Sequence, residues 1–233
     1  MLYLLDTANV EQIRKAYESY PIDGVTTNPT IISKEKTEFA TLIKEIRGII
    51  GKDGMLHIQT TKIDTAGIIK EAIALRDFVN GNFYIKIPTI EPGIKAMQEL
   101  KKMGFNITAT AIFTQQQALV AAKAGADFVA PYVNRLDNIS SDGVGVVADI
   151  CNLIKIFNFD TKVLAASFKN VEQIHRISLS GTHAVTIDPS LLKTLLYHPL
   201  TDMAIIDFSK DWRKRYEKKY ILELLENVPP IVD

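Results

Sequence analysis

Eight short apolar runs alternate along this chain with longer stretches of helical spacing, and that repeat limits the possible folds more than any other feature. The runs cover residues 2–7, 22–29, 55–61, 83–89, 105–110, 126–133, 162–167 and 182–188. Strands joined through helices run parallel, because a crossover is needed to return to the same edge. Eight such units in 233 residues predict a closed (β/α)8 barrel built as a single domain. A doubly wound open sheet is the rival arrangement, and it would carry a phosphate-cradling glycine fingerprint after its first strand. The first strand here ends in DTANVEQ instead, and neither GxGxxG nor GxxxxGK[ST] occurs. Residues 202–226 exceed what a barrel needs. They read as an extra C-terminal helical tail, charged on one side and fit to pack on a neighbouring subunit.

The fourth run, FYIKIPT, carries a lone lysine. Alternation puts Tyr84, Lys86 and Pro88 on one side and Phe83, Ile85, Ile87 and Thr89 on the other. A lysine in an apolar strand loses hydration unless it is exposed, paired or used. On an edge strand it would simply face water. Burial favours the neutral form of an amine, and a neutral amine attacks carbonyl carbon. A closed barrel has no solvent edge, so the barrel reading favours the second use.

Composition narrows the classes of function. Equal numbers of acidic and basic side chains, 27 of each, offer no electrostatic hold on nucleic acid or an anionic membrane. No apolar run approaches the roughly 20 residues of a membrane span. The amino terminus meets Asp6 too early for a signal peptide's apolar core. Cys151, the single cysteine, falls in an apolar helical pattern and fits a reduced compartment. These features predict a soluble cytoplasmic protein. The four histidines, His57, His175, His183 and His198, lack metal-ligand spacing, and neither a metal nor another cofactor is expected.

A barrel gathers the carboxyl ends of its strands at one mouth. Those ends carry Asp6, Thr26, Asn28, Gln59, Lys86, Thr110, Tyr132 and Ser167, with Arg135 just past the sixth strand. Each has an ordinary structural use: Asp6 as a helix cap, Asn28 as a turn residue before Pro29, Gln59 as a satisfied buried amide, Tyr132 as a packed ring. Their convergence on one rim is what argues for chemistry. Arg135 is suited to holding a phosphate through two parallel hydrogen bonds.

The stretches LDTANV, GVTTNPTII, YIKIPT, APYVNRLD and VLAASFKN, in this order, resemble the transaldolase family and its short subfamily of fructose-6-phosphate aldolases. The resemblance spans about residues 2–215. It implies that Lys86 forms a Schiff base with the ketose C2 carbonyl and that Asp6 positions hydroxyls and assists proton transfer. Thr26, Asn28 and Ser167 would contact the sugar, and Arg135 the phosphate. Transaldolases proper have a glutamate on the third strand and phenylalanine in place of the sixth-strand tyrosine; this chain has Gln59 and Tyr132. Thr110 matches the threonine that helps hold a water. Sugar phosphates and dihydroxyacetone are therefore the expected partners, in a homo-oligomer, possibly a decamer. Ala109 and Phe113 depart from the aldolases' glycine and tyrosine, which leaves substrate preference open. Transfer of a dihydroxyacetone unit, as in transaldolase, is the alternative reaction. A barrel that only binds sugar phosphates is the non-catalytic one.

Overall fold

The computed structural model describes residues 1–231. Its strands are β1 (Leu2–Asp6), β2 (Gly24–Thr26), β3 (Met55–Gln59), β4 (Phe83–Pro88), β5 (Asn106–Ile112), β6 (Phe128–Pro131), β7 (Lys162–Ala165) and β8 (Ala184–Ile187). All pair in parallel in chain order, and β1 also pairs with β8, so the sheet closes. The (β/α)8 barrel expected from the repeat is the observed fold. Strand β2 is shorter than the run 22–29, because Pro29 lacks the N–H that a ladder needs and begins a helix.

The helices are α1 (Val10–Ser19), α2 (Pro29–Ile32), α3 (Phe39–Ile50), α4 (Thr65–Val79), α5 (Glu91–Lys102), α6 (Gln115–Lys123), α7 (Val133–Asp137), α8 (Gly143–Ile156), α9 (Val171–Leu179), α10 (Pro189–Leu196), α11 (Pro199–Tyr216) and α12 (Ile221–Leu225). Side-chain caps start most of those around the barrel: Asn9, Asp64, Thr114, Asp142 and Asn170 each accept a backbone N–H of the first turn. The short α2 and α7 were not expected from periodicity. Both lie in the loops that follow β2 and β6, beside the mouth.

Two compact units divide the chain, Met1–Leu192 and the remainder from Lys193. The first holds the barrel. The second is helical, and α11 breaks at Glu217, whose φ of 57° ends the helix before α12 begins. The Trp212 indole donates to the Lys219 carbonyl at 2.8 Å and holds that turn.

Inside the barrel, Leu4, Phe128, Leu164 and Ala184 form an apolar plug, with Leu2, Met55 and Tyr84 packed against it. Strands of three to seven residues then alternate these inward positions with Ile58, Ile85, Ile107 and Val129, which are buried against the helices. One register up, the inward side chains become polar: Thr26, His57, Thr108 and Thr186 are all fully or nearly fully buried. A helix seats closely over the end of β4, since a Cβ on Gly93 would stand 2.2 Å from the Pro88 carbonyl oxygen. Among the described residues no helix is long and apolar enough to cross a membrane.

The loop after β3 is fixed by one carboxylate. Glu71, on α4, accepts hydrogen bonds from the Thr60 hydroxyl, the Thr61 amide and hydroxyl, and the Lys62 amide. Partial burial pushes its proton affinity up. The Thr60 and Thr61 hydroxyls and the two amides outweigh that and hold the carboxyl below its usual range. A depressed folded pKa stabilises the fold above the ordinary glutamate value, and the contribution is lost as pH falls through the folded one. We expect Glu71→Gln to lower urea stability at pH 7, with the deficit narrowing as pH drops below about 4. A deficit that stays constant from pH 7 to pH 3 would contradict this role.

Candidate active site

The amine of Lys86 lies on the inner face of β4, flanked on both sides by paired strands, and its residue is 2% exposed. No edge is available to it, so the reading of a lysine facing water is excluded. Its Nζ donates to the Thr27 carbonyl at 3.2 Å. Thr27 is itself fixed, because its amide and hydroxyl both donate to the His57 carbonyl, at 2.9 Å and 3.1 Å. The backbone of Lys86 is held from the other side, where the Thr60 amide donates to its carbonyl.

Asp6 ends β1 on the inward phase set by Leu2 and Leu4. The Thr26 hydroxyl donates to its carboxylate at 2.9 Å, and Thr26 also shares a hydrogen bond of 2.7 Å with Thr186 across the barrel. Burial pushes the Asp6 carboxyl above its usual range; the charge of Lys86 and the Thr26 hydrogen bond oppose this without cancelling it. Asp188 adds to the rise and Arg135 opposes it, both more weakly. A carboxyl so placed is easier to protonate than an ordinary aspartate, which suits a group that exchanges protons with a substrate hydroxyl.

Facing these groups, the Thr110 and Tyr132 hydroxyls lie 3.0 Å apart. A bulge puts them there. The register between β5 and β6 shifts between Ala109 and Ile112, and Ala111 sits at φ 57°, a left-handed conformation costly for alanine. The Phe113 ring meets the Tyr132 ring edge to face at 5.5 Å, and the Arg135 guanidinium lies 4.9 Å over it. Tyr132 is thus gripped at its hydroxyl and on two sides of its ring.

Arg135 and Ser167 stand on adjacent strand ends that backbone bonds lock together. The Val133 amide donates to the Ala166 carbonyl at 3.0 Å, and the Asn134 amide to the Ser167 carbonyl at 2.8 Å. Ser167 is also left-handed, at φ 66°. Arg135 is exposed, and no carboxylate within salt-bridge distance neutralises it among the described residues. A free cation and a hydroxyl on two loops so joined are suited to an anionic group of a ligand.

Two predicted site residues are placed with qualifications. Asn28 caps α2, its carbonyl oxygen accepting the Ile31 amide at 3.0 Å, so its amide nitrogen is the part left for a ligand. Gln59 stands at the end of β3, directly paired with Lys86, and no hydrogen bond holds its side chain among the described residues. Sequence reasoning missed Asp188, a second acid that follows β8 on the inward phase and accepts from the Ser190 amide and hydroxyl. The signal for it is alternation within residues 182–188, which runs from Ala184 through Thr186 to Asp188. Sequence reasoning likewise missed Thr27, whose importance lies in a backbone carbonyl that no side-chain pattern reports.

Comparison with known proteins agrees with this geometry. The family described as transaldolase/fructose-6-phosphate aldolase matches residues 3–227. A probable fructose-6-phosphate aldolase of Streptococcus pneumoniae is 40% identical over 213 residues, 91% of this chain and 96% of that one. A probable transaldolase of Geobacter metallireducens is 42% identical over 214 residues, 92% of this chain and 99% of that one. Solved structures give the fold alone. A native KDPGal structure superposes with a TM-score of 0.57 at 14% identity, over 85% of this chain and 84% of that one. The flavin-binding domain of baker's yeast flavocytochrome b2 gives 0.58 at 13% identity, over 82% of this chain and 57% of that one. This chain belongs to the transaldolase/fructose-6-phosphate aldolase family.

Proposed function

We propose that the protein is a class I aldolase that cleaves and forms fructose 6-phosphate, with dihydroxyacetone and glyceraldehyde 3-phosphate as the other partners. The observation that carries this reading is the pair of hydroxyls from Thr110 and Tyr132, 3.0 Å apart, on the same rim as a buried Lys86, whose neighbour in register on β3 is an amide, Gln59, in place of a carboxylic acid.

In the cleavage direction Lys86 Nζ attacks the ketose C2, and loss of water leaves an imine. Protonated, the imine withdraws the electron pair of the C3–C4 bond as that bond breaks. A base takes the C4 hydroxyl proton, and the three-carbon aldehyde phosphate leaves. Asp6 and Tyr132 are the groups placed to carry protons, with Thr110 fixing the phenol. Protonation of the enamine carbon and hydrolysis of the imine then release dihydroxyacetone. Thr26, fully buried, acts through Asp6, whose carboxylate it holds; the free amide of Asn28 meets sugar hydroxyls, and Arg135 with Ser167 takes the phosphate. The exposed Met203, Ile206, Phe208 and Leu222 of the helical tail favour burial against a second copy of the chain, so a homo-oligomer accompanies this reading.

Transfer of the dihydroxyacetone unit to an aldose is the second reading, favoured by the name carried by the Geobacter metallireducens relative. Gln59 argues against it, because an amide cannot pass a proton to a bound water as a carboxylic acid can. The two reactions separate in one assay: fructose 6-phosphate with and without erythrose 4-phosphate. Free dihydroxyacetone and glyceraldehyde 3-phosphate without the acceptor are the expected products; strict dependence on the acceptor would instead establish transfer. Tyr132→Phe is expected to lower cleavage about 100-fold while imine formation continues, as loss of a general acid–base group does. Cleavage at the original rate in that variant would remove Tyr132 from proton transfer.

A further inference from the structure

One buried titratable side chain has no part in this chemistry. His57, on β3, has no exposed surface. Its ring stacks on Tyr84, with centroids 4.5 Å apart and planes 7° from parallel, and Phe128 meets it edgewise at 5.6 Å. Its Nδ1 lies 2.8 Å from the Thr108 hydroxyl. Its Nε2 is buried without a hydrogen-bond partner. A phenyl ring would pack between Tyr84 and Phe128 without the stranded Nε2, so packing alone does not account for an imidazole here.

The position of His57 in the ladder suggests what the ring does. Thr108 pairs with Lys86 across β4 and β5, on the same inward face, which makes it the hydroxyl next to the lysine along the sheet. Lys86 Nζ nevertheless donates to the Thr27 carbonyl, and Thr108 is turned to the imidazole. A hydroxyl with no other partner beside a buried amine with hydrogens to donate would bond to it, since the hydroxyl would otherwise go unsatisfied. The His57 carbonyl meanwhile accepts both donors of Thr27 and so fixes the group that holds the amine.

We propose that His57 is a positioning residue: by occupying the Thr108 hydroxyl it keeps that group from capturing Lys86, and the amine stays at the Thr27 carbonyl, free to attack. The inference rests on Lys86 being the amine that forms the imine. Burial, and then the charge of Lys86, push the His57 proton affinity down to about 3. The ring is therefore neutral in the working range and puts no second cation beneath an iminium.

The test uses His57→Phe, Thr108→Val and the double variant. The readouts are the initial rate of borohydride-trapped adduct with dihydroxyacetone, kcat and KM for cleavage, and the thermal midpoint. His57→Phe is expected to keep or raise the midpoint while trapping and kcat fall about tenfold with KM little changed, the scale of a misplaced reacting group. Thr108→Val is expected to react near the rate of the unmodified protein, because the competing hydroxyl is gone. The double variant should recover the rate lost in His57→Phe, a coupling that a purely structural role would not produce. Trapping at full rate in His57→Phe, or no recovery in the double variant, would overturn the proposal. If His57→Phe does not fold, a tenfold loss in Thr108→Val alone overturns it. Absence of any adduct on Lys86 in the unmodified protein is a separate failure, of the imine reading itself.

Discussion

Closure of the sheet between β1 and β8 is the constraint from which the rest of the molecule follows. A closed sheet turns eight strand ends into one ring and denies every inward side chain a route to water except through the mouth. Polar groups on that face must then satisfy one another, and they do so in pairs: Asp6 with Thr26, Thr26 with Thr186, His57 with Thr108, Thr110 with Tyr132. Lys86 takes the Thr27 carbonyl. Since few alternative partners are in reach, these hydrogen bonds do more than offset desolvation; they aim the functional groups.

The interior is graded along the barrel axis. Leu4, Phe128, Leu164 and Ala184 seal the lower part, and the polar layer of Thr26, His57, Thr108 and Thr186 lies between that plug and the reactive rim. Two of the left-handed residues lie at the rim. Ala111 follows Thr110 at the bulge against β6, and Ser167 ends β7's continuation, where its carbonyl accepts the Asn134 amide. The rigidity of the plug and of the capped helices is what sustains that local cost.

Much of this was legible in the residues because periodicity reports it. The eight-unit repeat implied closure, and closure plus alternation put Lys86, Asp6, Gln59, Thr110 and Tyr132 on one rim. What escaped depends on backbone geometry that side-chain patterns do not encode. Nothing in NITATAI announces that Ala111 is left-handed, because alanine disfavours that conformation and only the bulge against β6 enforces it. The Thr27 carbonyl is equally silent in sequence. The Asn28 side chain has two ends that a sequence does not distinguish; its oxygen serves the cap of α2, and its nitrogen is left without that duty. His57 is a polar residue in a barrel layer, and the structure shows how the layer receives it, between an aromatic stack and a single hydroxyl.

Every step of this account passes through one nitrogen atom. Incubation with dihydroxyacetone and borohydride, followed by peptide mass mapping, reads its chemistry directly. The account predicts one reduced three-carbon adduct per chain, located on Lys86 and abolished in Lys86→Met. An adduct on another lysine, or none while the folded protein still cleaves its ketose, would contradict it.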